Sequence, residues 1–307
     1  MNENIINNFD ISLKRKRVLV TGSSGYIGGA LIKYLLKANC EILGIDKNTS
    51  NESINEIEFN LNESIKLQSL VKEYQPDLVL HTGTNSALDY NNDLYKAFQE
   101  DYNSFNSLKT SLDLFSKNAK LMFYSSSYVY SGESLDRVVG ERDKLEPLHS
   151  FGVGKKFFEQ YILRLFPNTV IFRLSSVFGE GEARSPNAIK NIVEESVESE
   201  IVEIWGSGNR KMQYISVDDV VNNTLSSINS NPGIYNLGAN DYLSINDIAS
   251  VIANFFSIKV SHNLNKTEGE SLSFMSTEKI QIENGADFSP VLKSLEYYLE
   301  SLNFTKK

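Results

Sequence analysis

Four short constellations in this sequence have the residue types and spacing for chemistry. Gly22, Gly25 and Gly28 stand as G-x-x-G-x-x-G directly after the apolar run Val18-Leu19-Val20. The first glycine allows a tight turn, the second lets the backbone approach an anion, and the third lets the next helix sit close to the strand. The free N–H groups of that helix's first turn, where Tyr26 and Ile27 lie, and the positive end of its dipole face the same point. Asp46 closes a second apolar run, Ile42 to Ile45. A carboxylate there accepts hydrogen bonds from both hydroxyls of an adenosine ribose, so turn and acid together read as a dinucleotide site. Asp46 repels a 2′-phosphate and favours NAD over NADP, while Lys47 beside it pulls the other way. The third constellation is Ser125-Ser126-Ser127 at the end of a predicted strand. The fourth is Phe151 and Lys155, a ring and an ammonium at i and i+4 on one helical face.

These residues need a scaffold, and the apolar periodicity supplies one. Strands are predicted at Val18–Val20, Ile42–Ile45, Ile57–Leu61, Asp77–His81, Lys120–Tyr124 and Thr169–Leu174. Between them, Ile27, Leu31, Tyr34, Leu35 and Ala38 recur at helical spacing. Asn62 is placed to cap a helix running to about Tyr74, one long helical region covers Tyr90 to Lys117, and another runs from Phe151 to Phe166. Strands alternating with helices predict an α/β fold, a doubly wound parallel (Rossmann) sheet with its active site at the carboxyl ends of the strands. Residues 1–175 form this dinucleotide-binding domain, after an asparagine-rich extension over the first dozen residues. Residues 176–307 read as a smaller α+β substrate lobe, interleaved with the end of the sheet. Its signals are loops at Gly179-Glu180-Gly181 and Ser185-Pro186-Asn187, a helix Ala188–Glu200, a strand Ile201–Trp205 and a turn Gly206–Asn209. A helix entered through Ile215–Asp219, a strand Gly233–Leu237 and a helix start at Ser244–Asp247 follow.

Composition narrows the partners. The 307 residues carry a net charge of -9 with 41% hydrophobic and 22% charged residues, the balance of a globular chain with no basic stripe for nucleic acid. Lys14-Arg15-Lys16-Arg17 reads as a solvated entry to the first strand. The single cysteine, Cys40, forbids an intramolecular disulfide and reads as a buried small hydrophobe at the end of the first helix. The N-terminus lacks the basic start and apolar core of a signal peptide, and no apolar run reaches the roughly 18 residues of a membrane span. A cytoplasmic location without membrane contact is the expectation. His81, His149 and His262 show no ligand spacing, so no metal is expected.

Taken with Val129-Tyr130 after the serines and Glu159 after Lys155, the glycine turn and the F-G-x-x-K helix resemble one family. It is the extended short-chain dehydrogenases/reductases of the NAD-dependent nucleotide-sugar epimerase/dehydratase group. Arg173–Gly179 and Trp205–Val220 share in the resemblance, which runs from Val18 to Leu237. The resemblance implies hydride exchange between the cofactor and C4 of a nucleotide-linked sugar. A serine and a tyrosine sit at the sugar hydroxyl, and a lysine sits on the nicotinamide ribose. Counting back from Val129-Tyr130 assigns the catalytic serine to Ser126, with Ser127 beside it as a substrate-side neighbour. Asn103 matches a family asparagine on the cofactor side, and His81-Thr82-Gly83 matches a loop beside the cofactor. Arg210, ahead of Lys211, lies nearest the family's arginine for the substrate diphosphate. Arg173 either faces the carboxyl end of the sheet or closes a structural ion pair. A homodimer through the region Tyr90–Lys117 and the helix from Phe151 is implied on the same ground.

The chain departs from the family at one decisive place: Lys155 is present, but the tyrosine position is Phe151. Three accounts are open. Phe151 is an introduced, inactivating Tyr→Phe replacement. Alternatively it is a natural variant in which Tyr128, His149 or Ser126 moves the proton, or the protein binds its ligands without chemistry as a dinucleotide-binding regulator. The family's 4,6-dehydratases carry Asp-Glu where this chain has Ser127-Tyr128, which disfavours dehydration. The stretch Ser126–Gly132 is closer to the 4-ketoreductases, whereas the glycine loop and Asp46 look more like the 4-epimerases. The expectation is a C4 oxidoreductase, epimerase ahead of ketoreductase.

Overall fold

The computed structural model describes residues 13–49, 52–181 and 188–302; the expected N-terminal extension and the loop at Ser185-Pro186-Asn187 lie outside them. Alternation of side chains about the first strand builds two cores. In β1 (Arg17–Thr21), Val18 and Val20 point to one face of the sheet and Leu19 to the other, all fully buried. The chain then runs through α1 (Tyr26–Leu35), β2 (Glu41–Asp46), β3 (Asn55–Glu58), α2 (Ser64–Tyr74), β4 (Leu78–His81), α3 (Ala87–Asn92) and α4 (Leu94–Phe115). After these come β5 (Lys120–Ser126), a 3₁₀ turn over Ser127–Tyr130, α5 (Ser150–Leu165) and β6 (Thr169–Leu174). Leu67 of α2, Phe105 and Leu108 of α4 and Phe158 of α5 cover the Leu19 face, and Leu31 of α1 covers the other.

The second half contributes β7 (Ser176–Phe178), α6 (Ala188–Ser199), β8 (Ile201–Trp205), β9 (Lys211–Ser216), α7 (Val217–Ser226) and β10 (Gly233–Leu237). It ends with β11 (Tyr242–Ser244), α8 (Ile245–Phe256), β12 (Lys259–Asn263), α9 (Glu278–Asn284) and α10 (Val291–Ser301). Seven strands form one parallel sheet in the order β10-β6-β5-β4-β1-β2-β3. The α/β fold is therefore doubly wound, and the direction of winding reverses between β1 and β4. A crevice opens at that reversal, beyond the carboxyl ends of the two strands. The second half returns β10 to the sheet beside β6 and builds two small sheets, β11-β9-β7 and β12-β8, outside it. No helix among the described residues is long and apolar enough to cross a membrane.

Four local readings shift. The helical region from Tyr90 is two helices, broken at Asp93, whose extended backbone ends α3 while its carboxylate accepts the Lys96 N–H and starts α4. The strand expected at Ile57–Leu61 lies earlier, because Phe59 and Leu61 reach the core from the loop after β3. Asn62 does not cap α2, which starts after Glu63; its amide oxygen instead accepts the Ser104 hydroxyl at 2.9 Å. Cys40 is only half-buried, beyond a helix that stops at Leu35, its thiol directed to the Leu35 carbonyl.

Candidate active site

The glycine turn lies on the crevice and fits a dinucleotide. Gly22 has φ +72°, and a Cβ on Gly28 would stand 2.1 Å from the Gly22 carbonyl oxygen, so any larger residue closes the cradle. The turn opens onto a cavity of about 710 Å³ lined by Gly22, Gly25, Tyr26, Ile27, Asp46 and Gly83. Tyr26 lines the cavity, while its hydroxyl donates to the Gly179 carbonyl at 3.1 Å and ties the turn to the second half.

Asp46 is buried at the tip of β2 and accepts the Ser24 N–H at 3.2 Å. Glu56, which sequence reasoning passed over, accepts the Ser23 and Ser24 hydroxyls beneath the same turn. Two carboxylates here oppose a 2′-phosphate more firmly than Asp46 alone, and Lys47 is engaged by Glu100 at 3.3 Å. The variant Asp46→Ser is expected to bind NAD about 10- to 100-fold more weakly, the worth of hydrogen bonds to a charged group. NADP binding should not take its place while Glu56 stands. Calorimetric titration with both dinucleotides checks this, and a gain of NADP binding in Asp46→Ser alone would contradict it.

The second group is built where β5 gives way to the 3₁₀ turn. The Ser125 hydroxyl donates to Glu159 at 2.5 Å and is spent on structure. Ser126 is half-buried, and its oxygen accepts the Tyr128 N–H at 3.3 Å; Ser127 is buried. Helix α5 seats against this turn through Gly152, where a Cβ would come within 2.1 Å of the Tyr128 carbonyl oxygen. That close seating brings Phe151 to the Tyr128 ring and Lys155 to the Tyr124 carbonyl, on either side of the serines in sequence. The His149 Nδ1 caps the helix by accepting the Phe151 N–H at 3.2 Å.

Lys155 is 3% exposed, and its ammonium donates to the Thr84 hydroxyl at 2.9 Å and the Tyr124 carbonyl at 3.0 Å. It stands 4.8 Å from the centroid of the Phe123 ring and 5.2 Å from that of Phe151. Burial pushes its pKa down to about 8, against the opposing pull of Asp101 and Glu159. A tyrosine at residue 151 would thus stand beside an ammonium that favours its phenolate. Phe151 instead packs edge-on against Tyr90 and Tyr128, with no proton to exchange.

Asn103 is not brought to this group. It lies on the solvent face of α4, and the inward residue two positions earlier is Asp101, about 200° away around the helix at 3.6 residues per turn. Asp101 accepts the backbone and side-chain N–H groups of Asn85 at 2.9 Å and the Tyr90 hydroxyl at 2.9 Å. Burial raises its pKa, the Lys155 ammonium opposing. The signal was available: a carboxylate on the stripe Ala97, Asp101, Ser104, Phe105 and Leu108, all buried. Thr84 gave no such signal, because a loop residue has no periodicity.

His81 is a core residue: fully buried, its Nδ1 2.6 Å from the Thr21 hydroxyl, its pKa pushed down to about 3 by burial. Arg173 closes the ion pair, with Glu159 at 2.7 Å. Arg210 lies on the turn before β9, its guanidinium donating to the Glu270 carbonyl at 2.8 Å. Burial lowers the His149 pKa, and the Glu270 carboxylate opposes that shift. Lys211 faces solvent over Tyr242.

Residues 18–238 match the model of a family described as the NAD dependent epimerase/dehydratase family. A Methanocaldococcus jannaschii protein provisionally named a UDP-glucose 4-epimerase is 26% identical over 251 residues, 76% of this chain and 81% of that one. Among solved structures, the UDP-glucose 4-epimerase of Thermotoga maritima with UDP-glucose superposes with a TM-score of 0.84 at 18% identity, covering 94% of this chain and 100% of that one. The Thermus thermophilus UDP-glucose 4-epimerase complex with NAD gives 0.79 at 19% identity, covering 92% and 98%.

Proposed function

The chain belongs to the NAD-dependent epimerase/dehydratase family, and on that premise we propose that it carries out NAD-dependent oxidoreduction at C4 of a nucleotide-linked sugar, as a 4-epimerase ahead of a 4-ketoreductase. One observation carries the reading: the buried Lys155 ammonium faces residue 151, which packs on Tyr128 of the turn that Ser126 opens, and donates to Thr84 on the loop after β4. When bound, NAD supplies the hydride acceptor. The glycine turn holds the pyrophosphate, Asp46 the adenosine ribose and Lys155 a hydroxyl of the nicotinamide ribose. Ser126 holds the sugar hydroxyl, with Ser127 beside it, and Arg210 is the residue we assign to the diphosphate. Phe151 slows the chain relative to one with tyrosine there.

Two copies pair through α4 and α5, whose outer surface exposes Tyr95, Tyr102, Val153 and Phe157. A cytoplasmic setting suits a substrate of this kind. The 4,6-dehydratase alternative lacks the Asp-Glu pair at Ser127-Tyr128.

Phe151 favours a second reading, a regulator that binds the dinucleotide without chemistry. Ligand retention separates the two. Calorimetric titration of the chain with NAD and a panel of UDP-, dTDP-, GDP- and CDP-sugars should give binding of both ligand classes, and the relatives' names put UDP-sugars first. Binding of NAD with no nucleotide sugar would leave the regulator.

A further inference from the structure

The function proposed above, on which this inference rests, requires the site to move a proton, and residue 151 holds none. Tyr90, Lys155 and Tyr128 meet the Phe151 ring, and His149 meets its backbone N–H. Tyr90 is 1% exposed, and its hydroxyl is held by the Asp101 carboxylate; burial first, then that charge, push its pKa far above the ordinary range, so it keeps its proton. Lys155 is committed as a donor to Thr84 and the Tyr124 carbonyl. His149 uses its Nδ1 lone pair to accept the Phe151 N–H, which places the ring proton on Nε2, and burial holds the imidazole neutral. A neutral ring whose basic nitrogen caps a helix is a donor and a packing surface, not a base.

Tyr128 remains. Its ring lies 6.0 Å from the Phe151 centroid and is held 4.4 Å from the His149 ring. Its N–H donates to the Ser126 oxygen, so the phenol and the serine hang on one turn. It is half-exposed, and its hydroxyl makes no hydrogen bond to any described residue. We propose that Tyr128 is the proton-transferring phenol of this site, doing from the 3₁₀ turn what a tyrosine at residue 151 would do from the helix. In the oxidation step Tyr128, having given its own proton to solvent, acts as the phenolate: the sugar O–H bond breaks and its proton passes to the phenolate oxygen. The C4–H bond breaks and its hydride passes to the oxidised dinucleotide, leaving a C4 carbonyl. The return step reverses both transfers. His149 is then a positioning residue, fixing the ring against the turn.

Four chains test this: the chain as it stands, Tyr128→Phe, Phe151→Tyr, and both changes together. Each is assayed with NAD and a nucleotide sugar for kcat and KM, and titrated calorimetrically with the sugar nucleotide. Tyr128→Phe keeps the ring and its stacking on His149, so it removes only the hydroxyl. Tyr128→Phe is expected to lower kcat of the Phe151 chain about 10²–10⁴-fold with KM and sugar-nucleotide affinity unchanged. In the Phe151→Tyr background the same change should cost little, because a second phenol carries the proton. Unchanged kcat in Tyr128→Phe overturns the proposal, as does a Phe151 chain that is inert while Phe151→Tyr turns over; in both cases the proposed function stands. If no chain binds a sugar nucleotide, the proposed function falls and takes this proposal with it.

Discussion

Placing a phenol at residue 151 of the Tyr128→Phe chain, which lacks the phenol of the 3₁₀ turn, is expected to raise kcat about 10²–10⁴-fold, the usual worth of a positioned general acid–base. The position is already prepared. Phe151 is one turn before Lys155, whose ammonium lies 5.2 Å from the ring centroid, and the helix is fixed by Gly152 against the turn that carries Ser126. A free tyrosine has a pKa near 10 and is a poor base at neutral pH, but a neighbouring ammonium favours the phenolate. The change adds one oxygen to a half-buried ring, so stability should move by less than about 1 kcal/mol, as for most half-exposed positions. Because the hydroxyl acts in the transition state and contributes little to ground-state binding, KM should change far less than kcat. The measurement is product formation from a nucleotide sugar with NAD, followed by NMR, for Tyr128→Phe chains with Phe or Tyr at residue 151 side by side. Equal rates would mean that residue 151 stands outside the proton path.

The sequence was most legible where function depends on local order. The glycine turn and Asp46 lie within one strand–helix–strand unit, and Phe151 and Lys155 lie on one helical turn, so spacing alone put them near each other. Tertiary placement was harder to read. Asn103, assigned on α4 from the family resemblance, lies on the solvent face, because the inward stripe of that helix runs through Ala97, Asp101, Ser104 and Phe105. Thr84, Tyr90 and Asn85 reach Lys155 and Asp101 only through the folding of a loop and a short helix. The alternatives for Arg173 were decided by register: β5 and β6 pair with Ser125 opposite Arg173, which lays both against Glu159 of α5.

That register sets the second large effect. Arg173 and Glu159 have side chains each 2% exposed, joined by two bonds: Nε to Oε1 at 3.0 Å and Nη2 to Oε2 at 2.7 Å. Ser125 donates to the same carboxylate, and the remaining Arg173 nitrogen donates to the Tyr130 hydroxyl at 2.5 Å. Arg173→Met leaves Glu159 as a buried charge without its cation, and is expected to destabilise the fold by about 3–5 kcal/mol. Removing the acid as well, Arg173→Met with Glu159→Leu, should restore much of that loss, since a buried pair replaced by packed apolar groups is often neutral. The midpoint of urea unfolding reads both. A single variant within about 1 kcal/mol of the parent would show the pair to be dispensable, given that one buried uncompensated charge costs several times that amount. The consequence reaches the site because Glu159 lies one turn beyond Lys155 and binds the residue before Ser126. The ion pair thus locks the helix bearing the ammonium to the strand bearing the serine. At denaturant concentrations where Arg173→Met remains folded, it should therefore still lose activity, and the double variant should recover stability before it recovers rate.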